Sequence, residues 1–290
     1  MRLVTYEVDR ELWPGAVVGE EVVDLSSLAR DLLGLIDLGP QGLEEARSAV
    51  ERRAHVLPLS DVNLHAPIPR PRKNIVCLGM NYAEHAYESL RAKGLPPSLP
   101  EHPVFFTKPP TTVNRPDGMI PLDPAITKEL DWEVELAFII GRSGTNIPRD
   151  RAMEYVFGYT IINDITARDL QRRHQQFFKG KSLDGSCPMG PWIVTADELP
   201  DISNLALRLR VNGEVMQSSS TSDLIFDIPT IIATLSLGQT LEPGDIIATG
   251  TPSGVGMGRN PQVWLKPGDI VEAEVEGIGV LRSTVVLAGA

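Results

Sequence analysis

Apolar positions cluster at short, strand-like intervals over most of this chain. Near the start, residues 3–8 and 16–23 read as two strands joined by a turn at Pro14-Gly15. Residues 25–38 and 42–53 repeat their apolar positions at a helical period, with Pro40 and Gly42 between them. Pro67, Pro69 and Pro71 then stiffen the stretch 66–71, because each removes a backbone donor and fixes φ. A boundary placed there predicts a small α+β unit over residues 1–65 and a larger domain over 66–290.

In the larger domain the pattern predicts strands over 74–78, 131–141, 158–163, 205–211, 245–249, 270–276 and 278–286. Helices are predicted from about residue 82 and over 149–156 and 167–178. Residues 94–118 are rich in proline, and Val104-Phe105-Phe106 within them predicts a tethered strand. The fold class expected is α+β and β-rich.

Composition narrows the partners. The chain has 290 residues, 42% of them hydrophobic, enough for a sizeable core. Its formal net charge is −11, so a phosphate backbone is repelled and nucleic acid is not an expected partner. A carboxylate substrate would need local cations to overcome that field. The two cysteines, Cys77 and Cys187, form no CxxC pair and read as reduced. The charged N-terminus leaves no room for a signal peptide, and no run approaches the roughly 18 apolar residues of a membrane span. A soluble, cytoplasmic protein is expected.

Several stretches carry candidate chemistry. In Asp131-Trp-Glu133-Val-Glu135-Leu, strand alternation puts the three acids on one face. A solvent-facing strand explains that simply. A hard cation such as Mg²⁺ or Mn²⁺ explains it too, because the run continues into an apolar core. Asp164 stands where an apolar strand meets a helix, as an N-cap or as a ligand. Arg168 and Gln171 fall one turn apart on that helix. His85 and Glu88 are helical neighbours, as an exposed pair or as an oriented base. Lys181, in Lys179-Gly-Lys-Ser, is either surface charge or a partner for substrate oxygen. The glycine-dense run 250–256 lacks the GK[ST] ending of a P-loop, so it reads as a tight turn or as backbone approaching a ligand, with Thr251 as the polar contact.

Taken in order, these stretches resemble the fumarylacetoacetate hydrolase family. The matching motifs are Gly79-Met-Asn-Tyr-Ala-Glu-His85, Phe106-Thr-Lys108-Pro, Asp131-Trp-Glu133-Val-Glu135-Leu, Asn163-Asp164-Ile-Thr-Ala-Arg168-Asp-Leu-Gln171, Gly180-Lys181-Ser and Gly250-Thr251-Pro-Ser-Gly-Val-Gly256. The resemblance runs from about residue 66 to the C-terminus. It implies a mixed β-roll catalytic domain, a homodimer, and Mg²⁺ or Mn²⁺ on Glu133, Glu135 and Asp164. It implies His85 and Glu88 as a catalytic dyad with Lys181 beside the metal. Lys108, Arg168, Gln171 and Thr251 are then expected to meet the substrate. The family's additional aspartate ligand has no clear counterpart here.

The stretch 169–190 is similar to family members that decarboxylate oxaloacetate. The expected activity is therefore metal-dependent C–C cleavage of a small oxo-acid, by acylpyruvate hydrolysis or oxaloacetate decarboxylation. Alternatives are an isomerase or decarboxylase of an aromatic-degradation oxo-dicarboxylate, an enzyme acting on a 2-keto-3-deoxy sugar acid, and a non-catalytic metabolite-binding protein. Helix 167–178 is expected to order over bound substrate.

Overall fold

The computed structural model describes residues 1–53, 55–92 and 94–289. Its architecture is strand-rich α+β, built on a twelve-stranded mixed sheet and a separate five-stranded one. The larger sheet begins with Val56–Pro58, Glu21–Asp24, Glu11–Val18 and Arg2–Val8. It continues through Cys187–Thr195, Val156–Asn163 and Val134–Ile140 to Ile246–Ala248, Ile75–Gly79 and Val104–Lys108. Arg2 pairs with Val194 and Leu3 with Ile193, so this sheet runs unbroken across the boundary drawn at residues 65/66. Among the described residues, no helix is long and apolar enough to cross a membrane.

Every residue of Val134–Ile140 is buried, because both faces of this central strand are covered. Val134, Leu136, Phe138 and Ile140 pack against Leu207, Leu209, Val271 and Ala273 of the smaller sheet. Ala137 and Ile139 face the other way, towards Leu3, Ile75 and Ile246. Continuing that alternation puts Glu135 on the face of Ala137 and Ile139.

Several local expectations are corrected. The first hairpin turns at Asp9-Arg10, both left-handed, and Pro14 and Gly15 lie inside a strand. Gly15 is there for room: a Cβ would meet Val22 and the Tyr6 ring. Residues 16–23 divide between two strands at Gly19-Glu20. Of residues 25–38 only Leu32–Asp37 is α-helical, capped by Asp31. Residues 149–155 form a 3-10 helix. The predicted helix 167–178 stops at Arg173, turns through a left-handed Gln175, and resumes as a 3-10 turn at Phe178–Lys181. Strand 131–141 is broken at Trp132-Glu133, leaving Leu130–Asp131 paired with Thr166–Ala167 and Val134–Ile140 paired with Val156–Asn163.

Candidate active site

That break separates the three acids, and none of them faces solvent. Asp131 is fully buried and saturated by four donors. Its Oδ1 accepts from the amides of Gly256 (2.7 Å) and Trp132 (2.9 Å), and its Oδ2 from Arg168 Nε (2.8 Å) and the Met257 amide (3.0 Å). It is the counter-ion of Arg168. The solvent-facing reading of the acidic strand is therefore wrong, and Asp131 parts from the other two.

Glu133 and Asp164 meet because Val134 pairs with Asn163. The Asp164 amide donates to Glu133 O (2.8 Å), and the Glu133 amide to Asn163 Oδ1 (3.0 Å). Asp164 is thus a side chain projecting from a strand end, and the helix Arg168–Arg173 starts four residues later without a side-chain cap. Oxygens of Glu133, Glu135 and Asp164 lie within 4.8 Å of one another, and all three residues are buried.

The charges around the triad are uneven. Glu133 has Lys181 Nζ at 2.6 Å and Arg168 Nη2 at 2.6 Å. Burial opposes its charge, but these cations prevail and hold its carboxyl at about 2. Glu135 has no such partner. Its Oε2 accepts from the Gly250 amide (2.8 Å), and its Oε1 is buried with no hydrogen-bond partner. Burial, with the charges of Asp164 and Glu133, pushes Glu135 well above the carboxylate range. An orphaned carboxylate oxygen beside two more carboxylates fits a hard divalent cation.

Lys181 Nζ also donates to Asp164 Oδ2 (2.7 Å) and lies 5.2 Å from the Phe106 ring centroid. Asp164 Oδ1 accepts from Lys108 Nζ (2.8 Å). Lys108 was expected to meet substrate, but its ammonium is fully buried behind Asp164. It is shared among Asp164 Oδ1, Ile165 O, Lys181 O and Ser186 Oγ. It holds the site from behind and does not line the cavity.

A small cavity of about 30 Å³ opens beside Glu133. Glu133, Lys181, His85, Arg168, Gln171 and Thr251 line it together. His85 Nδ1 is 3.2 Å from Glu88 Oε2, and both residues are buried, so this is not an exposed surface pair. Gln171 Oε1 accepts from Arg168 Nη1 (3.2 Å). The Thr251 hydroxyl donates to Val134 O (2.9 Å) and accepts from Gln217 Nε2 (2.8 Å). Phe177 lines the cavity, edge-on to Phe106 and packed against Gly79. Sequence reasoning missed Asp131, Asn163, Phe177 and Met257 as parts of the site. Asp131 and Asn163 stand in the matching motifs, but spacing alone assigns neither a partner, and strand alternation places Asp131 on one face with Glu133 and Glu135.

The profile described as "Fumarylacetoacetate (FAA) hydrolase C-terminal" matches residues 74–286. The chain belongs to the fumarylacetoacetate hydrolase family. It is 43% identical to oxaloacetate tautomerase YisK of Bacillus subtilis, over 98% of this chain and 100% of that protein. Among solved structures, the fumarylacetoacetate hydrolase of Exiguobacterium antarcticum superposes with a TM-score of 0.85 at 40% identity, covering 99% of each chain. The maleylpyruvate hydrolase of Sphingobium sp. SYK-6, solved with manganese(II) and pyruvate, superposes at 0.81 with 32% identity and 99% coverage of both. In this family member, as in those relatives, the fold is the strand-rich α+β one predicted.

Proposed function

We propose that this chain interconverts the enol and keto forms of oxaloacetate, with Mg²⁺ or Mn²⁺ held by Glu133, Glu135 and Asp164. The observation that carries this reading is the full-length 43% identity to a protein named oxaloacetate tautomerase. The site supports it by supplying a proton carrier beside a group of buried cations and carboxylates. When bound, the metal would supply Lewis-acid stabilisation of negative charge on substrate oxygen.

The reaction moves one proton: C3 gains it and the C2 hydroxyl loses one. His85, backed by Glu88, handles the proton at C3. Lys181 faces the C2 oxygen, where negative charge collects. Phe177 and Phe106 keep bulk water away from the reacting carbon. Arg168 and Gln171, which line the same cavity, meet the substrate's carboxylates.

The test is the ultraviolet decay of enol-oxaloacetate with the Mn²⁺-loaded protein, with metal-only rates subtracted and pyruvate followed by proton NMR. Fast, EDTA-sensitive decay without extra pyruvate supports the reading, and His85→Asn should remove it. Accelerated pyruvate formation would instead mark a decarboxylase. The neighbour solved with manganese and pyruvate favours a second reading, hydrolytic C–C cleavage, in which His85 would activate water. Acetylpyruvate turnover in the same assay separates it.

A further inference from the structure

The glycine-dense loop after Ile246–Ala248 can be given a task. Its Gly254 amide donates to both oxygens of Glu88, at 3.1 Å to Oε1 and 3.3 Å to Oε2. Four residues on, Gly258 lies directly against the same carboxyl group. A Cβ on Gly258 would overlap Glu88 Cδ, Oε1 and Cγ. Gly258 is not in the left-handed region, so what glycine supplies here is room and not a special backbone conformation.

The loop is anchored on either side of Gly254. The Thr251 hydroxyl is bound to Val134 O. The amides of Gly256 and Met257 are bound to Asp131. These anchors reach the same buried strand region that carries Glu133 and Glu135. Gly254 also has a positive φ of 102°, and a Cβ there would overlap the Met216 carbonyl.

We propose that Gly254 and Gly258 form a cradle that positions Glu88, and through it His85. A buried carboxylate without donors is costly and would turn towards water. The Gly254 amide meets that need, and the bare face of Gly258 lets the carboxylate lie flat in place. Held there, Glu88 Oε2 reaches His85 Nδ1. With Nδ1 engaged by Glu88, the ring is oriented so that Nε2 is the nitrogen left for substrate. The two glycines are positioning residues. They do not line the cavity, and they tie the dyad's geometry to the loop that also binds Glu135 through the Gly250 amide.

This inference rests on the proton-transfer reading of His85 and Glu88, and the experiment separates the two. Gly258→Ala, Glu88→Gln and the double variant are compared with the wild-type chain, all loaded with Mn²⁺. Enol-oxaloacetate kcat and Mn²⁺ affinity by calorimetry are the readouts. Gly258→Ala should lower kcat at least about tenfold, a part of the 10²–10⁴ typical of acid–base catalysis, with Mn²⁺ affinity within about threefold of wild type. The double variant should be no slower than Glu88→Gln, because both changes remove one device. Losses that multiply would overturn the cradle, as would a fully active Gly258→Ala beside a slow Glu88→Gln. A fully active Glu88→Gln would instead sink the proton-transfer reading.

Should Gly258→Ala fail to fold, or the wild type be silent on oxaloacetate, the Gly254 amide decides. In glycine-labelled protein its proton shift should move, and its hydrogen exchange quicken, on Glu88→Gln. An unchanged Gly254 amide would overturn the proposal.

Discussion

Lys108 Nζ lies 2.8 Å from Asp164 Oδ1, and neither side chain is exposed to water. The pair leaves Asp164 only Oδ2 for the site, where Lys181 meets it. The Lys108 ammonium also binds the Lys181 carbonyl, so one buried cation fixes both a candidate ligand and the lysine in front of it. Lys108→Met should therefore cost about 3–5 kcal/mol of stability, because it strands a buried carboxylate. Lys108→Arg should not restore it, since a planar guanidinium does not match four acceptors gathered around one nitrogen. Urea unfolding of both variants checks this, and a loss below about 1 kcal/mol for Lys108→Met would contradict it.

Glu133→Gln combined with Glu135→Gln should weaken Mn²⁺ binding by more than about 100-fold. Even groups that only orient metal ligands typically cost 10–100-fold. Calorimetric titration measures it. Wild-type affinity, or full metal-dependent activity, would remove the triad as the metal site.

Metal binding should release protons. Burial, then Asp164 and Glu133, raises Glu135 well above the carboxylate range, so without a cation it tends to keep its proton. A divalent cation favours the charged form, so the proton leaves as the metal arrives, and affinity falls as pH is lowered. Glu133 contributes little to this near neutrality, because it is held at about 2. Titrations in buffers of different ionisation enthalpy count the protons. Glu135→Gln should lose the release, and a pH-independent affinity from pH 5 to 8 would argue against it.

Phe177 lines the cavity of about 30 Å³, and the segment that carries it is expected to shift as substrate enters and leaves. Hydrogen exchange over residues 171–181 should slow when Mn²⁺ and oxalate are added together. Unchanged exchange would show that access lies elsewhere. Phe177→Ala should raise KM more than it lowers kcat, because it removes part of the cavity lining and leaves the triad intact.

Much was legible in the linear chain where neighbours in sequence are neighbours in space. His85 and Glu88 face each other because three residues make one helical turn. Strand Ile75–Gly79 and the tethered Val104–Lys108 follow from short apolar runs. The ordered motifs also bring Glu133, Glu135 and Asp164 together, and the fold gathers their oxygens within 4.8 Å of one another.

What only tertiary structure decided was which charge answers which. Asp131 and Glu133 are two residues apart and were indistinguishable as strand acids. Arg168 and the Gly256 and Met257 amides, more than thirty residues away, claim Asp131 and turn it into a counter-ion. Lys108 sits behind Asp164 for the same reason. Spacing along the chain fixes only local direction, whereas a buried charge is matched by whatever long-range packing brings within about 3 Å of it, and that packing has no local period to read.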